Sequence, residues 1–421
     1  MQYSDGKVVK PYSARLDSAA AATFRNDARV IGLIGLAHAT SHVLQLTLPP
    51  LFVLLRAEFD VSYAALGAVM SLFYAASGIM QFAAGFAVDR FGARPVLLGG
   101  LALLGGCTVL AGLAPSFAWL YVLAALMGAG NGVFHPADFA VLNARVQPAR
   151  LGHAFSMHGV GGSLGYAVAP VMSYGLGSAF GWRTALVVMG AAGLAMLVFL
   201  ALNGRDIATV GHRGKPVRGA ISNVDLFRQA PILLCFAFFC IYNTGSIGVQ
   251  TFSAPALLAA HAIPLAVATS ALTGYLVGSA AGIVAGGFLA NATPRHERVA
   301  GSGLTIAAAL VASFAFVAWS PAAVLPLFAL AGFALGITGP SRDMIVRKAT
   351  PPGASGRTFG FVYSGLDIGA TIGPVAAGVL LDHGAPRLVF VLIAACLLLA
   401  MATIIESRRH GGARHGAQLA D

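Results

Sequence analysis

Long runs of apolar residues, separated by short polar connectors, dominate the chain from residue 29 onward. A helix needs about 20 consecutive apolar residues to cross the hydrocarbon core of a bilayer. Runs of this length predict twelve membrane-spanning helices, at residues 29–55, 63–88, 95–113, 118–144, 152–178, 184–202, 231–257, 265–290, 299–319, 323–346, 358–381 and 388–405. The pattern therefore predicts an all-α integral membrane protein.

The polar segments divide these twelve spans into six plus six. Residues 203–230 form a basic, glycine-rich stretch that is longer than the other connectors. We therefore expect two six-helix bundles, at residues 29–202 and 231–405, joined by a cytoplasmic linker. Residues 1–28 and 406–421 are polar, and we expect them to be cytoplasmic ends.

Composition supports a lipid environment. The 421 residues are 57% hydrophobic and 10% charged, with a mean hydropathy of +0.80. A soluble domain carries about 25% charged residues. The apolar surplus is too large for one core, so the surrounding medium must be the lipid bilayer.

The net charge of +11 first suggests an acidic partner such as nucleic acid, but the distribution of basic residues points elsewhere. With both termini in the cytoplasm, 22 of the 26 Lys and Arg residues fall on the cytoplasmic side of the predicted helices. That bias is the positive-inside rule. We therefore expect a multi-pass protein of a bacterial-type inner membrane, in contact with lipid and not with nucleic acid.

The two predicted halves repeat each other at three places. Gly85 and Gly287 open similar segments 202 residues apart, and Pro136 and Pro340 lie 204 residues apart. A Gly-x-x-x-Gly spacing, which allows close helix packing, occurs at residues 161–165 and again at 369–373. Parallel repeats of this kind are one architecture of secondary transporters.

The segment from Gly85 to Pro95, which reads Gly-Phe-Ala-Val-Asp-Arg-Phe-Gly-Ala-Arg-Pro, resembles the signature of the major facilitator superfamily between its second and third helices. The second copy departs from the signature, with Asn291 in place of the Asp. The chain is also similar, through Phe134-His135-Pro136, to fosmidomycin-resistance-type drug exporters. The superfamily resemblance implies twelve helices in two pseudo-symmetric bundles. It also implies a gating role for the signature residues Gly85, Asp89, Arg90, Gly92 and Arg94.

Polar side chains inside apolar spans are costly and therefore mark candidate sites. His38, His42 and Gln45 form one stripe on the first predicted helix, because residues at i, i+4 and i+7 share a face. The resemblance implies that helices 1, 4, 7 and 10 line the central cavity. The predicted substrate-binding residues are His38, His42, Gln45, Asn131, His135, Tyr242, Asn243, Gln250 and Arg342.

Proton coupling has its own candidates. Histidine changes charge near neutral pH, and burial favours the protonated form of a carboxyl group. Asp138, His158 and Asp367 lie in predicted spans and are the predicted proton carriers. Asp138 and Arg342 each follow a repeat proline by two residues, so we also expect them to pair across the bundle interface and to act as a gate when the cytoplasmic side is closed.

These observations favour secondary active transport of a small organic solute over catalysis. The chain has no Gly-x-x-x-x-Gly-Lys-Ser/Thr loop for ATP, and we expect no enzyme activity, no cofactor, no bound metal and a monomeric state. Export by proton antiport is slightly favoured over uptake by symport. Arg342 and the histidines favour an anionic or zwitterionic substrate.

The alternative is transport of a transition-metal ion or its chelate, because imidazole is a common metal ligand. The ligands would come from the intramembrane histidines and Asp138. These residues lie on three different predicted helices, and the sequence does not show that they converge.

Overall fold

The computed structural model describes residues 2–4, 7–9, 12–147, 150–208, 223–350 and 355–418. A short antiparallel hairpin, β1 (Gln2–Ser4) and β2 (Lys7–Val9), precedes the helices, with Gln2 opposite Val9. The α-helices are α1 (Tyr12–Gln45), α2 (Phe52–Phe59), α3 (Tyr63–Phe91), α4 (Ala93–Gly112), α5 (Phe117–Asn131), α6 (Phe134–Arg145), α7 (Leu151–Phe180), α8 (Trp182–Asn203), α9 (Asn223–Phe227), α10 (Ala230–His261), α11 (Leu265–Ala292), α12 (His296–Phe316), α13 (Pro321–Ala349), α14 (Ser355–Asp382) and α15 (Pro386–Gln418). Two 3-10 turns, Pro49–Leu51 and Gly204–Ile207, complete the described elements.

The predicted membrane-spanning architecture is confirmed. Within the described residues, eleven helical segments are long and apolar enough to cross a bilayer. The twelfth, α7, is 30 residues long and stands fifth in order, between the spans of α5–α6 and α8. Large apolar side chains cover the outer surface, as Ile79 (74% exposed) and Phe288 (75% exposed) illustrate. That exterior suits lipid contact.

The first span differs from the predicted 29–55 helix in two ways. Helix α1 begins at Tyr12, because the Ala-rich stretch before residue 29 has high helix propensity. The span then breaks between Gln45 and Phe52, where Pro49 and Pro50 supply no backbone N–H to a continuous helix. At the other end of the chain, α15 continues past the predicted end at residue 405 to Gln418.

The fourth span, expected as one helix at residues 118–144, also breaks, just before Pro136. Helix α5 ends at Asn131 and α6 begins at Phe134, with Gly132 and Val133 between them. Pro136 lies in the first turn of α6, where its missing N–H costs nothing. Its repeat partner, Pro340, lies inside the unbroken helix α13.

The internal repeat recurs at the level of backbone contacts. A Cβ atom added at Gly128 of α5 would collide with the carbonyl oxygen of Phe73 in α3, and one at Gly332 of α13 would collide with that of Tyr275 in α11. The two glycines are 204 residues apart and their partners are 202 apart, which matches the sequence offsets. Helices α3 and α5 therefore cross as α11 and α13 do.

The two bundles meet along two helix pairs, α3 with α14 and α7 with α11. The start of α3 contacts the end of α14, since the amides of Tyr63 and Ala64 donate hydrogen bonds to Asp382. We call this end of the molecule the Asp382 side. The opposite end carries Arg145 and Lys348, at the ends of α6 and α13, and is called the basic side.

Inter-bundle contacts concentrate toward the Asp382 side. The ring of Phe252 on α10 packs against Phe52 of α2 and Tyr63 of α3, with centroid distances of 5.3 and 6.1 Å. Toward the basic side, α6 packs on α1, α3, α4 and α7 of its own bundle, and α13 packs on α10, α11, α12 and α14 of its own. Both helices therefore make their main contacts within their own bundles, and His135 on α6 is exposed.

Candidate functional site

Four histidines and one carboxylate converge at the centre of the N-terminal bundle; we call them the histidine cluster. Helix α1 contributes His38 and His42, α6 contributes His135 and Asp138, and α7 contributes His158. The Oδ2 atom of Asp138 lies 3.1 Å from His38 Nδ1 and 3.0 Å from His158 Nε2. Asp138, His38 and His158 are 0%, 3% and 5% exposed. The sequence left open whether these residues converge, and they do.

The histidine cluster is buried at one end and exposed at the other. His42 Nε2 lies 3.0 Å from His38 Nε2, and the rings of His38 and His135 are 5.1 Å apart. His42 is half-buried and His135 is exposed, whereas Asp138 is enclosed. One side of the cluster is therefore exposed, and the other is enclosed within the bundle.

Glycines on α7 bring it against α1 and make the cluster possible. A Cβ at Gly161 would come within 2.8 Å of the carbonyl oxygen of Gly35. A Cβ at Gly162 would lie 3.0 Å from the Nε2 atoms of both His38 and His42. The Gly-x-x-x-Gly spacing thus serves helix packing, as predicted, and the neighbouring Gly162 leaves room for the imidazoles.

A chain of hydrogen bonds connects the cluster to the C-terminal bundle. His135 Nδ1 lies 3.1 Å from Gln81 Oε1, and Gln81 Nε2 donates to Asp367 Oδ2 at 3.2 Å. Gln81 lies on α3 and Asp367 on α14, so this chain crosses the bundle interface. A Cβ at Gly78 would lie 2.9 Å from the Cβ of Asp367, so the two helices touch at the carboxyl group.

Sequence reasoning missed Gln81, although a signal was present. Ser71, Tyr74, Ser77 and Gln81 recur every three or four residues and form a polar stripe on α3. Its two ends reach the other bundle: the hydroxyl of Ser71 donates to the carbonyl of Thr371, and Gln81 donates to Asp367. Only the signature segment, at the end of the second predicted helix, is assigned a role from the sequence, and the polar residues on the face of that helix are not named as site residues.

In the C-terminal bundle, Arg342 lies against aromatic rings. Its guanidinium is 4.6 Å from the ring centroid of Phe239 and 5.3 Å from that of Tyr242. Its Nε contacts Asp343 Oδ1 at 3.2 Å, and the same oxygen accepts the hydroxyl of Tyr363 at 2.8 Å. Arg342 is 16% exposed. A cation with a solvent-reachable, aromatic setting is suited to bind an anion.

Other predicted binding residues make contacts within their own bundles. Asn131 donates to Ser77 at 3.1 Å, which ties α5 to α3. Asn243 donates to the carbonyl of Leu366 at 2.6 Å, which ties α10 to α14. A further two, Gln45 and Gln250, are buried on α1 and α10. Their substrate-binding role stays a prediction.

The signature segment forms the turn between α3 and α4 on the basic side. Gly92 has φ +82°, a conformation that favours glycine, and it ends α3 and begins α4. Arg94 donates to the carbonyl of Ala201 at 2.8 Å, which caps the end of α8. Arg90 is exposed, Gly85 has open space around its Cα, and the side chain of Asp89 lies outside the described part of the chain. The gating role stays a prediction.

The predicted Asp138–Arg342 gate is not formed in this conformation. Asp138 faces α1 and α7 inside its own bundle, while Arg342 contacts Asp343. A pair across the interface would require both contacts to exchange. The gate therefore stays a prediction for the state in which the basic side is closed.

Asp382 forms a latch between the bundles that the sequence did not reveal. Its two carboxylate oxygens accept the backbone amides of Tyr63 and Ala64 at 2.7 Å each. A carboxylate at a helix N-terminus satisfies free amides and the positive end of the helix dipole. Here the capped helix belongs to the other bundle. The latch therefore exists only while the Asp382 side is closed.

We expect Asp382→Asn to shift the population toward opening on the Asp382 side by about 1–2 kcal/mol, a roughly 5–30-fold change in the ratio of the two states. The measurement is the labelling rate of Ser253→Cys, a buried position beside Phe252, in a chain whose four native cysteines are replaced by alanine. The exposed neighbour variant His383→Ala is the control and should label at the starting rate. An unchanged rate in Asp382→Asn would refute the latch.

Two repeated six-helix bundles, with a polar centre and a carboxyl group at their interface, define a multi-pass membrane transporter. A family model described as the Major Facilitator Superfamily matches residues 34–259 and 234–418, and the chain belongs to that superfamily. The superfamily resemblance inferred from the sequence motif is confirmed.

Known relatives and folds agree with this assignment. The chain is 28% identical over 394 residues to the fosmidomycin resistance protein of Escherichia coli strain K12, across 90% of this chain and 93% of the relative. It is 26% identical over 227 residues to a probable sulfoacetate transporter of Cupriavidus necator, across 50% and 53% of the two chains. The crystal structure of a bacterial homologue of the human lysosomal transporter Spinster, inward-facing and occupied, superposes with a TM-score of 0.74 at 17% identity, across 96% of this chain and 98% of that one.

Proposed function

We propose that this protein exports a small organic anion or zwitterion by alternating access, in exchange for protons, and that it is a transporter and not an enzyme. The observation that carries the proposal is Asp367, a carboxyl group wedged between the bundles beside Gly78. Among the described residues, no Lys, Arg or His nitrogen lies within 4.0 Å of its carboxylate oxygens, and Gln81 is its hydrogen-bond partner across the interface. We place the transported proton on Asp367, and we assign Asp138 to orientation of the histidines.

The coupling follows from electrostatics. An ionised carboxylate without a cation costs several kcal/mol in a low-dielectric interface, whereas the neutral acid does not. Protonation should therefore favour close contact of α3 with α14, and deprotonation should favour their separation or hydration. A site whose protonation biases the two conformations converts a proton gradient into directed transport.

Arg342 supports the anionic substrate class. A guanidinium held against Phe239 and Tyr242 offers both charge and a planar hydrogen-bonding edge to a carboxylate, phosphonate or sulfonate. A relative that is named as a probable sulfoacetate transporter agrees with an acidic solute. The relative that is named for fosmidomycin resistance agrees with export.

We also propose that the basic side is cytoplasmic and that the membrane is the inner membrane. The excess of Lys and Arg at the ends of the helices on that side supports this orientation. Both termini then lie in the cytoplasm. A monomer suffices for this mechanism, since both bundles belong to one chain.

Proteoliposomes test the coupling directly. We expect uptake of a transported anion, tested with fosmidomycin and sulfoacetate, when the lumen is more acidic than the medium, and little uptake when the gradient is collapsed. Antiport predicts this sign, whereas symport predicts uptake with an acidic medium. Equal uptake with no proton or sodium gradient would leave a uniporter and overturn the coupled mechanism. Protein-free liposomes are the control.

Substitution of Arg342 tests the substrate class. We expect Arg342→Gln to raise the KM for an anionic substrate at least tenfold, since a lost charge-assisted hydrogen bond is worth about 1.5–3 kcal/mol. Arg342→Lys keeps the charge but loses the planar hydrogen-bonding edge. Its KM should therefore lie between those of the wild type and Arg342→Gln. The measurement is the concentration dependence of transport in proteoliposomes. An unchanged KM in both variants would exclude Arg342 from substrate binding.

A further inference from the structure

We propose that His38, His42 and His135 bind one divalent transition-metal ion of the Zn²⁺, Ni²⁺ or Co²⁺ class. One ring nitrogen from each histidine lies within 4.8 Å of the other two. Imidazole nitrogen is the preferred donor for these ions, and three histidines with one open position are an established coordination set. The inference rests on the geometry of the histidine cluster and not on the proposed function.

The ring orientations fit metal ligation. In tetrahedral zinc sites the Zn–N distance is about 2.0–2.1 Å, which places ligand nitrogens about 3.3 Å apart. The Nε2 atoms of His38 and His42 lie 3.0 Å apart and face each other. Without an ion, one of the two nitrogens must carry the proton of a hydrogen bond. With an ion, the two nitrogens would move apart to about 3.3 Å, and both rings would turn so that their lone pairs point at one centre.

The non-ligating nitrogens of His38 and His135 each have an oxygen atom 3.1 Å away, whereas His42 Nδ1 is buried with no hydrogen-bond partner among the described residues. His38 Nδ1 lies 3.1 Å from Asp138 Oδ2, and His135 Nδ1 lies 3.1 Å from Gln81 Oε1. Ligand histidines usually contact a carboxylate or carbonyl through the nitrogen that does not bind the metal, which fixes the ring and its tautomer. Asp138 and Gln81 thus act as orienting residues for Nε2 of His38 and of His135.

Charge provides a separate reason for a cation here. Asp138 is fully buried, and among the described residues its contacts within 4.0 Å to basic side chains are to His38 and His158 only. Its Oδ1 atom is buried without a hydrogen-bond partner in the described chain. A buried carboxylate without a fixed positive charge is costly. A divalent ion bound to His38 would supply that positive charge, because His38 is in direct contact with Asp138.

Access and space favour this trio over the inner set of His38, Asp138 and His158. The inner set is fully buried, and Asp138 already bonds His158 at 3.0 Å. His135 is exposed, so the outer trio is accessible to an entering ion. Gly162 leaves room beside both Nε2 atoms, where a Cβ would lie 3.0 Å from each.

All three ligands belong to the N-terminal bundle, so the ion does not bridge the interface. Its binding should therefore be independent of which side of the transporter is open. A structural network of neutral histidines is the competing explanation, and it predicts no saturable metal binding. The metal site predicts one bound ion per chain and a coloured cobalt complex, whereas the network of neutral histidines predicts neither.

The test uses full-length protein in detergent, purified without a histidine tag and stripped of metal with a chelator. Titration calorimetry with ZnCl₂ should show one saturable equivalent, and CoCl₂ should give the visible absorption of a four-coordinate complex. The matched variants are His135→Gln, at an exposed ligand, and His383→Gln, at an exposed histidine outside the cluster. We expect at least 100-fold weaker zinc binding in His135→Gln and wild-type binding in His383→Gln.

Two further variants separate ligand from orienting residue. Asp138→Asn should weaken zinc binding about 10–100-fold, the usual effect of losing an orienting partner. Gly162→Ala should weaken it by crowding the two Nε2 atoms. If either variant fails to give a single size-exclusion peak, the zinc affinity of the exposed-ligand variant His135→Gln is the deciding measurement. No saturable equivalent in the wild type, or equal affinity in His135→Gln, would overturn the proposal.

Discussion

Replacement of Asp367 by Asn is expected to reduce proton-driven accumulation of solute at least tenfold, while exchange of solute across the membrane continues. Asn has the size of the protonated acid but holds no proton to release. The side chain lies at the α3–α14 interface, where Gln81 Nε2 contacts it at 3.2 Å. The nearby titratable groups on neighbouring helices are Tyr74 and Tyr166. A permanently neutral side chain should allow the bundles to rearrange without a gradient.

Two assays on the same proteoliposomes measure this effect. Accumulation under an acidic lumen reports coupling, and counterflow of labelled solute at equal pH reports exchange. Asp206→Asn removes a carboxylate that pairs with Arg29 at the surface and should behave like wild type in both assays. Continued accumulation in Asp367→Asn would place the proton elsewhere, whereas loss of both activities would indicate a structural role for the carboxylate.

Gly332→Ala is expected to destabilise the folded protein strongly, because α11 and α13 cross at this residue. A Cβ there would occupy the position of the carbonyl oxygen of Tyr275. Alanine favours a helix over glycine by about 1 kcal/mol, but overpacking against a rigid backbone costs about 1–3 kcal/mol or more. The clash should therefore outweigh the gain in helix propensity. The unfolding temperature in detergent should fall, and the yield of monodisperse protein should decrease.

Gly339→Ala on the same helix is the matched control. Its added Cβ would meet only a side-chain atom of Ile283 at 3.9 Å, an ordinary contact. We expect no loss of stability there. The repeat also predicts that Gly128→Ala, against Phe73, destabilises the other bundle in the same way. If Gly332→Ala and Gly339→Ala unfold at the same temperature, the close crossing does not limit stability.

Much of the polar chemistry could be read from the chain, but not its grouping. His38 and His42 were recognisable as neighbours because residues four apart share a helix face. His135 and Asp138 were recognisable as neighbours on another helix, because residues three apart also share a face. Their meeting with His158 depends on how three helices pack, which no local pattern records.

The sequence by itself determined the twelve spans, the two bundles and the repeat. Hydropathy and small-residue spacing are local properties, and the bilayer leaves a long apolar segment few choices other than a transmembrane helix. Gly128 and Gly332 kept their offset because each serves the same crossing in its own bundle.

The tertiary structure alone decided which polar groups meet across long separations. Gln81 and Asp367 are 286 residues apart, and Asp382 caps amides 318 and 319 residues away. Such partners depend on the rotation of each helix about its axis, where one residue corresponds to about 100°. Helical periodicity shows that a face is polar, but only the packed bundles determine what that face touches.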